Sequence, residues 1–137
     1  MTQTQKLIAL AALVVALVVT WPGSSVIAPP VVSPFPAEKL CVLIVEEQAD
    51  RGSLPAKQIP IFTSPAIRSF VKQKGGEIRI VDKDSDPALD AKWVQDAMKV
   101  ERKELPAIII GGPHGGTSER LPNDEESALE LLKKYGG

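Results

Sequence analysis

Leu105-Pro106-Ala107-Ile108-Ile109-Ile110 is the stretch on which the reading of the fold turns. A proline opens a short, uniformly apolar run rich in branched residues, the composition of a strand covered on both faces. Before it, Leu40-Cys41-Val42-Leu43-Ile44-Val45 is a second such run, bounded by Lys39 and by Glu46-Glu47. Glu77-Ile78-Arg79-Ile80-Val81 alternates instead and reads as a third strand. Between the last two, Ser64-Pro65 starts a helix, with Ser64 as cap and proline in the first turn. Ile67, Phe70 and Val71 share its apolar face, and Gly75-Gly76 stops it.

Working outward, residues 48–61 read as an irregular loop punctuated by Gly52, Pro55 and Pro60. Asp82-Lys83-Asp84-Ser85-Asp86-Pro87 is an acidic corner. As a calcium loop it would need glycine at Pro87 and glutamate at Trp93, so it reads as a solvated turn that caps the next helix. That helix is expected from Pro87 to Lys103, with Leu89, Trp93, Val94, Ala97 and Met98 on its apolar side. After the proline-led strand, residues 111–116 form a glycine-rich hairpin turn and Thr117–Leu121 a return strand. Asn123-Asp124-Glu125-Glu126 caps a last helix buried through Ala128, Leu129, Leu131 and Leu132.

A crossover helix between the first two strands implies parallel pairing, and the late hairpin implies an antiparallel pair. The expected fold is α/β: a mixed sheet of about four strands flanked by helices.

The first residues differ in kind. Leu7 to Val19 carries no charge, follows Lys6 and is closed by Thr20-Trp21-Pro22-Gly23. A basic start, an apolar run and a breaker fit either a secretory signal peptide or an N-terminal membrane anchor, placed at 1–25 with residues 7–21 as the apolar helix. Residues 26–37 are rich in proline and read as a linker that holds the folded part, 38–137, away from a membrane or a cleavage site. Both readings make the protein exported and extracytoplasmic.

Composition narrows the chemistry. The 137 residues hold 16 basic and 17 acidic side chains, for a net charge of -1, and aromatics make up 4%. Neither a basic field nor a stacking platform for nucleic acid is present. One cysteine and one histidine exclude an internal disulfide and cysteine- or histidine-rich metal centres. The glycine turn lacks the lysine and hydroxyl of a phosphate loop, so no cofactor is expected. His114 reads as a surface residue without a catalytic partner, and Cys41 as a small apolar residue within its strand.

Residues 39–137 resemble the thioredoxin-like fold family in three places. These are Ile80-Val81-Asp82 with its acidic continuation, the proline-led Leu105–Ile110, and the glycine turn followed by a strand and an amphipathic helix. The resemblance implies a cis peptide before Pro106, beside the family's active site. It also implies Cys-x-x-Cys after the first strand, where a helix N-terminus lowers the pKa of the attacking thiol. Here that segment is Glu46-Glu47-Gln48-Ala49-Asp50-Arg51-Gly52-Ser53-Leu54-Pro55, without cysteine, and a serine hydroxyl cannot run thiol exchange. The expected function is therefore a non-catalytic binding or accessory module for a protein or peptide. By analogy its groove would be formed by Pro106, Leu105, Arg51, Gly52 and Ser53. Two alternatives stay open: a single-cysteine thiol oxidoreductase using Cys41, and a structural subunit of an envelope or virion assembly.

Overall fold

A computed structural model describes residues 32–137; the apolar segment 7–21 and most of the proline-rich linker lie outside the described residues. Four strands, β1 (Cys41–Glu46), β2 (Glu77–Asp82), β3 (Ala107–Gly111) and β4 (Thr117–Arg120), form one sheet in the order β2-β1-β3-β4. β1 runs parallel to β2 and antiparallel to β3, and β3 runs antiparallel to β4. Three helices, α1 (Pro65–Gln73), α2 (Lys92–Met98) and α3 (Glu125–Gly136), flank it. The mixed α/β fold is thus the expected one.

The period of a strand explains the two-sided core. Val42 and Ile44 of β1 and Ile108 and Ile110 of β3 point to the side covered by Ile67 and Val71 of α1 and by Ala128 and Leu132 of α3. Cys41, Leu43, Val45 and Ile109 point to the other side, against Trp93, Val94 and Ala97 of α2. Strands buried on both faces have no room for a polar face, which is why their sequences are unbroken apolar runs. At the margin, β2 is only half-buried along its length and alternates accordingly.

α1 begins as expected: the Ser64 hydroxyl accepts from the Ile67 amide at 3.1 Å, with Pro65 next. It ends at Gly75, whose φ of +72° is a conformation that side chains rarely adopt. α3 is capped by Asp124, which accepts from Ser127 N at 2.8 Å.

Three expectations need correction. The helix expected over 87–103 is a single three-ten turn, Pro87–Leu89, followed by α2. Asp90 breaks it: its backbone is extended and its carboxylate is held by Arg79. Arg102 closes the C-terminal end by donating to the Met98 carbonyl at 2.8 Å. Leu89, expected in the core, is fully exposed. Secondly, residues 48–63 are not irregular throughout, since Gln48–Ser53 and Ile59–Thr63 are three-ten segments.

The third correction concerns the end of the linker. Phe35 is 4% exposed and stacks on Trp93, ring centroids 6.2 Å apart. Ser33 accepts from the Gly112 amide at 3.2 Å. A Cβ at Gly111 would lie 2.6 Å from the Phe35 ring, so glycine at the end of β3 is what lets this strap lie flat on the sheet. Residues 33–37 therefore belong to the folded unit, because the one aromatic side chain of this proline-rich stretch packs into the core on the α2 side of the sheet.

Candidate functional site

The C-terminal ends of the parallel strands β1 and β2 meet the start of β3, and the residues just beyond them surround a hollow of about 200 Å³. Strand termini place chemistry well, because the sheet fixes the backbone while the side chains reach out of it. The hollow is lined by Glu46, Glu47, Asp50, Leu54, Lys83, Leu105 and Pro106. The Leu105–Pro106 peptide is cis. Leu105 is 37% exposed at the rim, whereas Pro106 is buried.

Glu46 sits at the floor. As the last residue of β1 its side chain is only 3% exposed, so its carboxylate needs a partner. Arg51 supplies it: Nε donates to Oε1 at 2.8 Å, and Nη2 donates to Oε2. The three-ten segment Gln48–Ser53 turns the chain back so that Arg51, five residues on, meets the strand end. Behind the ion pair, the Arg51 guanidinium lies 4.5 Å from the centroid of the Phe62 ring. Hydrogen bonding to Glu46 raises the Arg51 pKa above its ordinary value.

The neighbouring strand end is fixed in the same way. Asp82, opposite Glu46 in register, accepts from the amides of Gln48 at 2.8 Å and Asp84 at 3.0 Å. Those two bonds, the Gln48 one first, hold its carboxyl below the usual range. Its oxygens thus order the acidic corner from within the chain. Lys83 N donates to the Glu46 carbonyl at 2.7 Å, and its ammonium lies 3.1 Å from both Glu47 and Asp84, which raise its pKa. Asp50 has no ion-pair partner among the described residues.

Of the five residues expected at the groove, Leu105 and Pro106 line the hollow. Arg51 is drawn beneath it by Glu46, and Gly52 and Ser53 lie on the three-ten segment outside the lining. The segment Glu46–Pro55, expected to border the groove, supplies Glu46, Glu47, Asp50 and Leu54 to the lining, although sequence reading singles out none of the four as a site residue and does not expect Lys83 there at all. The available signal was a carboxylate closing a strand buried on both faces, with an arginine five residues later.

Cys41 is elsewhere. It begins β1 opposite Gly111, whereas Val45 lies opposite Ala107 at the Pro106 end. The length of β1 separates Cys41 from Glu46 by roughly 16 Å, at about 3.3 Å per residue. It is 2% exposed, and burial, followed by the nearby Glu77 carboxylate, pushes its thiol up to about 11. A thiol held protonated is a poor nucleophile. Among the described residues no cluster of three or more His, Cys, Asp or Glu side chains could hold a metal ion, and no helix is long and apolar enough to cross a membrane.

Compared with family models, with curated proteins and with solved structures, the chain finds no match.

Proposed function

We propose that this chain is an exported or membrane-tethered thioredoxin-like domain that binds rather than turns over, taking an extended peptide or protein segment in the hollow beside Pro106. Three features support the thioredoxin-like assignment: the strand order β2-β1-β3-β4, the placement of α1 and α3 opposite α2, and the proline at the head of β3. The tether would be residues 7–21.

The observation that carries the binding reading is the content of the hollow. It combines an apolar edge, Leu54, Leu105 and Pro106, with carboxylates, and holds no thiol. Glu46 is spent on Arg51 and Glu47 on Lys83, which leaves Asp50 to select charge. An apolar residue flanked by lysine or arginine in an extended segment matches that surface. Cys41 stands against the thiol-oxidoreductase alternative, being buried at the far end of β1 with its proton held.

Fluorescence polarisation with such synthetic peptides, using the full-length chain in detergent, tests this. Saturable binding is expected, weakened about tenfold by Leu105→Glu and by Asp50→Lys. Absence of binding at millimolar peptide, or equal binding by both variants, overturns it.

A further inference from the structure

The outer edge of β2 carries a self-complementary pattern. Glu77 N–H donates to Leu40 O at 2.9 Å and Lys83 N–H to Glu46 O at 2.7 Å. Because backbone groups alternate along a strand, residues 77, 79, 81 and 83 turn their main chain toward β1, and Ile78, Ile80 and Asp82 turn theirs outward. β2 is the last strand of the sheet on that side, so among the described residues these outward groups have no strand partner, although the Asp82 carbonyl already accepts from the Ser85 amide at 3.0 Å. Such an edge is a template for another strand.

We infer that the partner it fits is a second copy of this chain, joined β2 to β2 in antiparallel fashion about a two-fold axis at Ile80. An isologous pair of this kind closes on itself and leaves a dimer rather than a fibre. Ile80 then faces the partner's Ile80 and Ile78 faces the partner's Asp82, so that the outward-turned residues meet as hydrogen-bonded pairs, with the Asp82 carbonyl offering the partner the lone pair that the Ser85 amide does not use. On the opposite face Glu77 meets the partner's Lys83, and Lys83 meets the partner's Glu77. Opposite charges directly across an antiparallel pair stabilise it, and like charges destabilise it.

Other registers are worse. An axis at Arg79 sets that arginine against the partner's Arg79, and one at Val81 sets it against the partner's Lys83. An axis at Asp82 opposes two aspartates, and one at Ile78 runs the strand into the partner's Gly75-Gly76 turn. The Ile80 register alone pairs residues 77–83 throughout with opposite charges facing. Half-exposed Glu77, now paired with Lys39 and accepting from the Trp93 indole, and half-exposed Lys83, now paired with Glu47 and Asp84, can share these partners with the new ones.

The test is disulfide trapping with full-length chains in detergent. The register puts Arg79 opposite the partner's Val81, so an Arg79→Cys chain mixed with a Val81→Cys chain should form the mixed disulfide about fivefold faster than either forms with itself. Glu77→Lys or Lys83→Glu on both chains should slow that reaction about tenfold, and the two together should restore it. The inference is overturned if the mixed disulfide forms no faster than the disulfide of a Leu89→Cys control, or if the double charge exchange fails to restore it. Circular dichroism of each variant confirms that the comparison is between folded chains.

Discussion

Arg51→Ala isolates the feature on which the candidate site is built. The variant removes the partner of Glu46, whose carboxylate is 3% exposed and accepts two hydrogen bonds from Arg51. Leaving a fully buried charge unpaired costs about 3–5 kcal/mol. Arg51 itself is 37% exposed, so water can enter where the guanidinium was and the cost falls to about 2–3 kcal/mol. Loss of the contact with the Phe62 ring adds roughly 0.5–1 kcal/mol. For a unit of this size a total of about 3 kcal/mol lowers Tm by roughly 12–24 °C. Urea unfolding of the full-length chain followed by far-UV circular dichroism gives the number. The control is Glu46→Gln with Arg51→Ala, where no buried charge is left; it should be more stable than Arg51→Ala alone. An Arg51→Ala chain within about 0.5 kcal/mol of wild type, or a double variant whose cost is the sum of the single ones, would refute the reasoning.

Further predictions address the strap, the thiol and the acid limb. Gly111→Ala places a methyl 2.6 Å from the Phe35 ring and should cost about 1–3 kcal/mol, while Phe35→Ala costs about 3–5; the pair together should cost less than their sum, measured by urea unfolding. Cys41 should resist alkylation in the folded chain and label rapidly once urea is added; fast labelling of the native protein would revive the thiol chemistry. Because the folded state holds the Cys41 proton up to about 11 while the unfolded thiol releases it near 9, this group favours folding below pH 9, and its contribution is lost as pH rises from 9 to 11. Cys41→Ala should flatten that part of the stability curve. Asp82 has the opposite sign: its folded carboxyl is held low, so its contribution is present above its unfolded value of 3.8 and disappears as pH falls below it. Asp82→Asn should accordingly reduce the steepness of acid unfolding.

The sheet was legible because β1 and β3 are buried on both faces, and nothing but a sheet interior asks for Leu40–Val45 or Ala107–Ile110 as unbroken apolar runs. The cap at Ser64 and the stop at Gly75 are local chemistry and read directly. What escaped was tertiary. Leu89 continues the apolar spacing of α2, yet Arg79 on β2 captures Asp90 and breaks the helix between them. Phe35 looks like part of a proline spacer until Trp93 is seen beneath it. At the site, the position of the loop beside Pro106 followed from the strand order, but the pairing of Glu46 with Arg51 did not. That pairing depends on a three-ten turn that propensity alone does not specify, and it removes Arg51 from the groove that its position suggested.

The binding role of the Pro106 hollow is tested most directly by photo-cross-linking from inside it. A benzoylphenylalanine at Leu105, on the rim, is compared with one at Leu89, which is fully exposed and outside the hollow's lining. With full-length protein irradiated alongside a basic-apolar extended peptide, the account predicts a peptide adduct from Leu105, suppressed by excess unlabelled peptide and by Asp50→Lys, and background labelling from Leu89. Equal labelling from the two positions, or an adduct at Leu105 that neither competitor nor Asp50→Lys reduces, would contradict it.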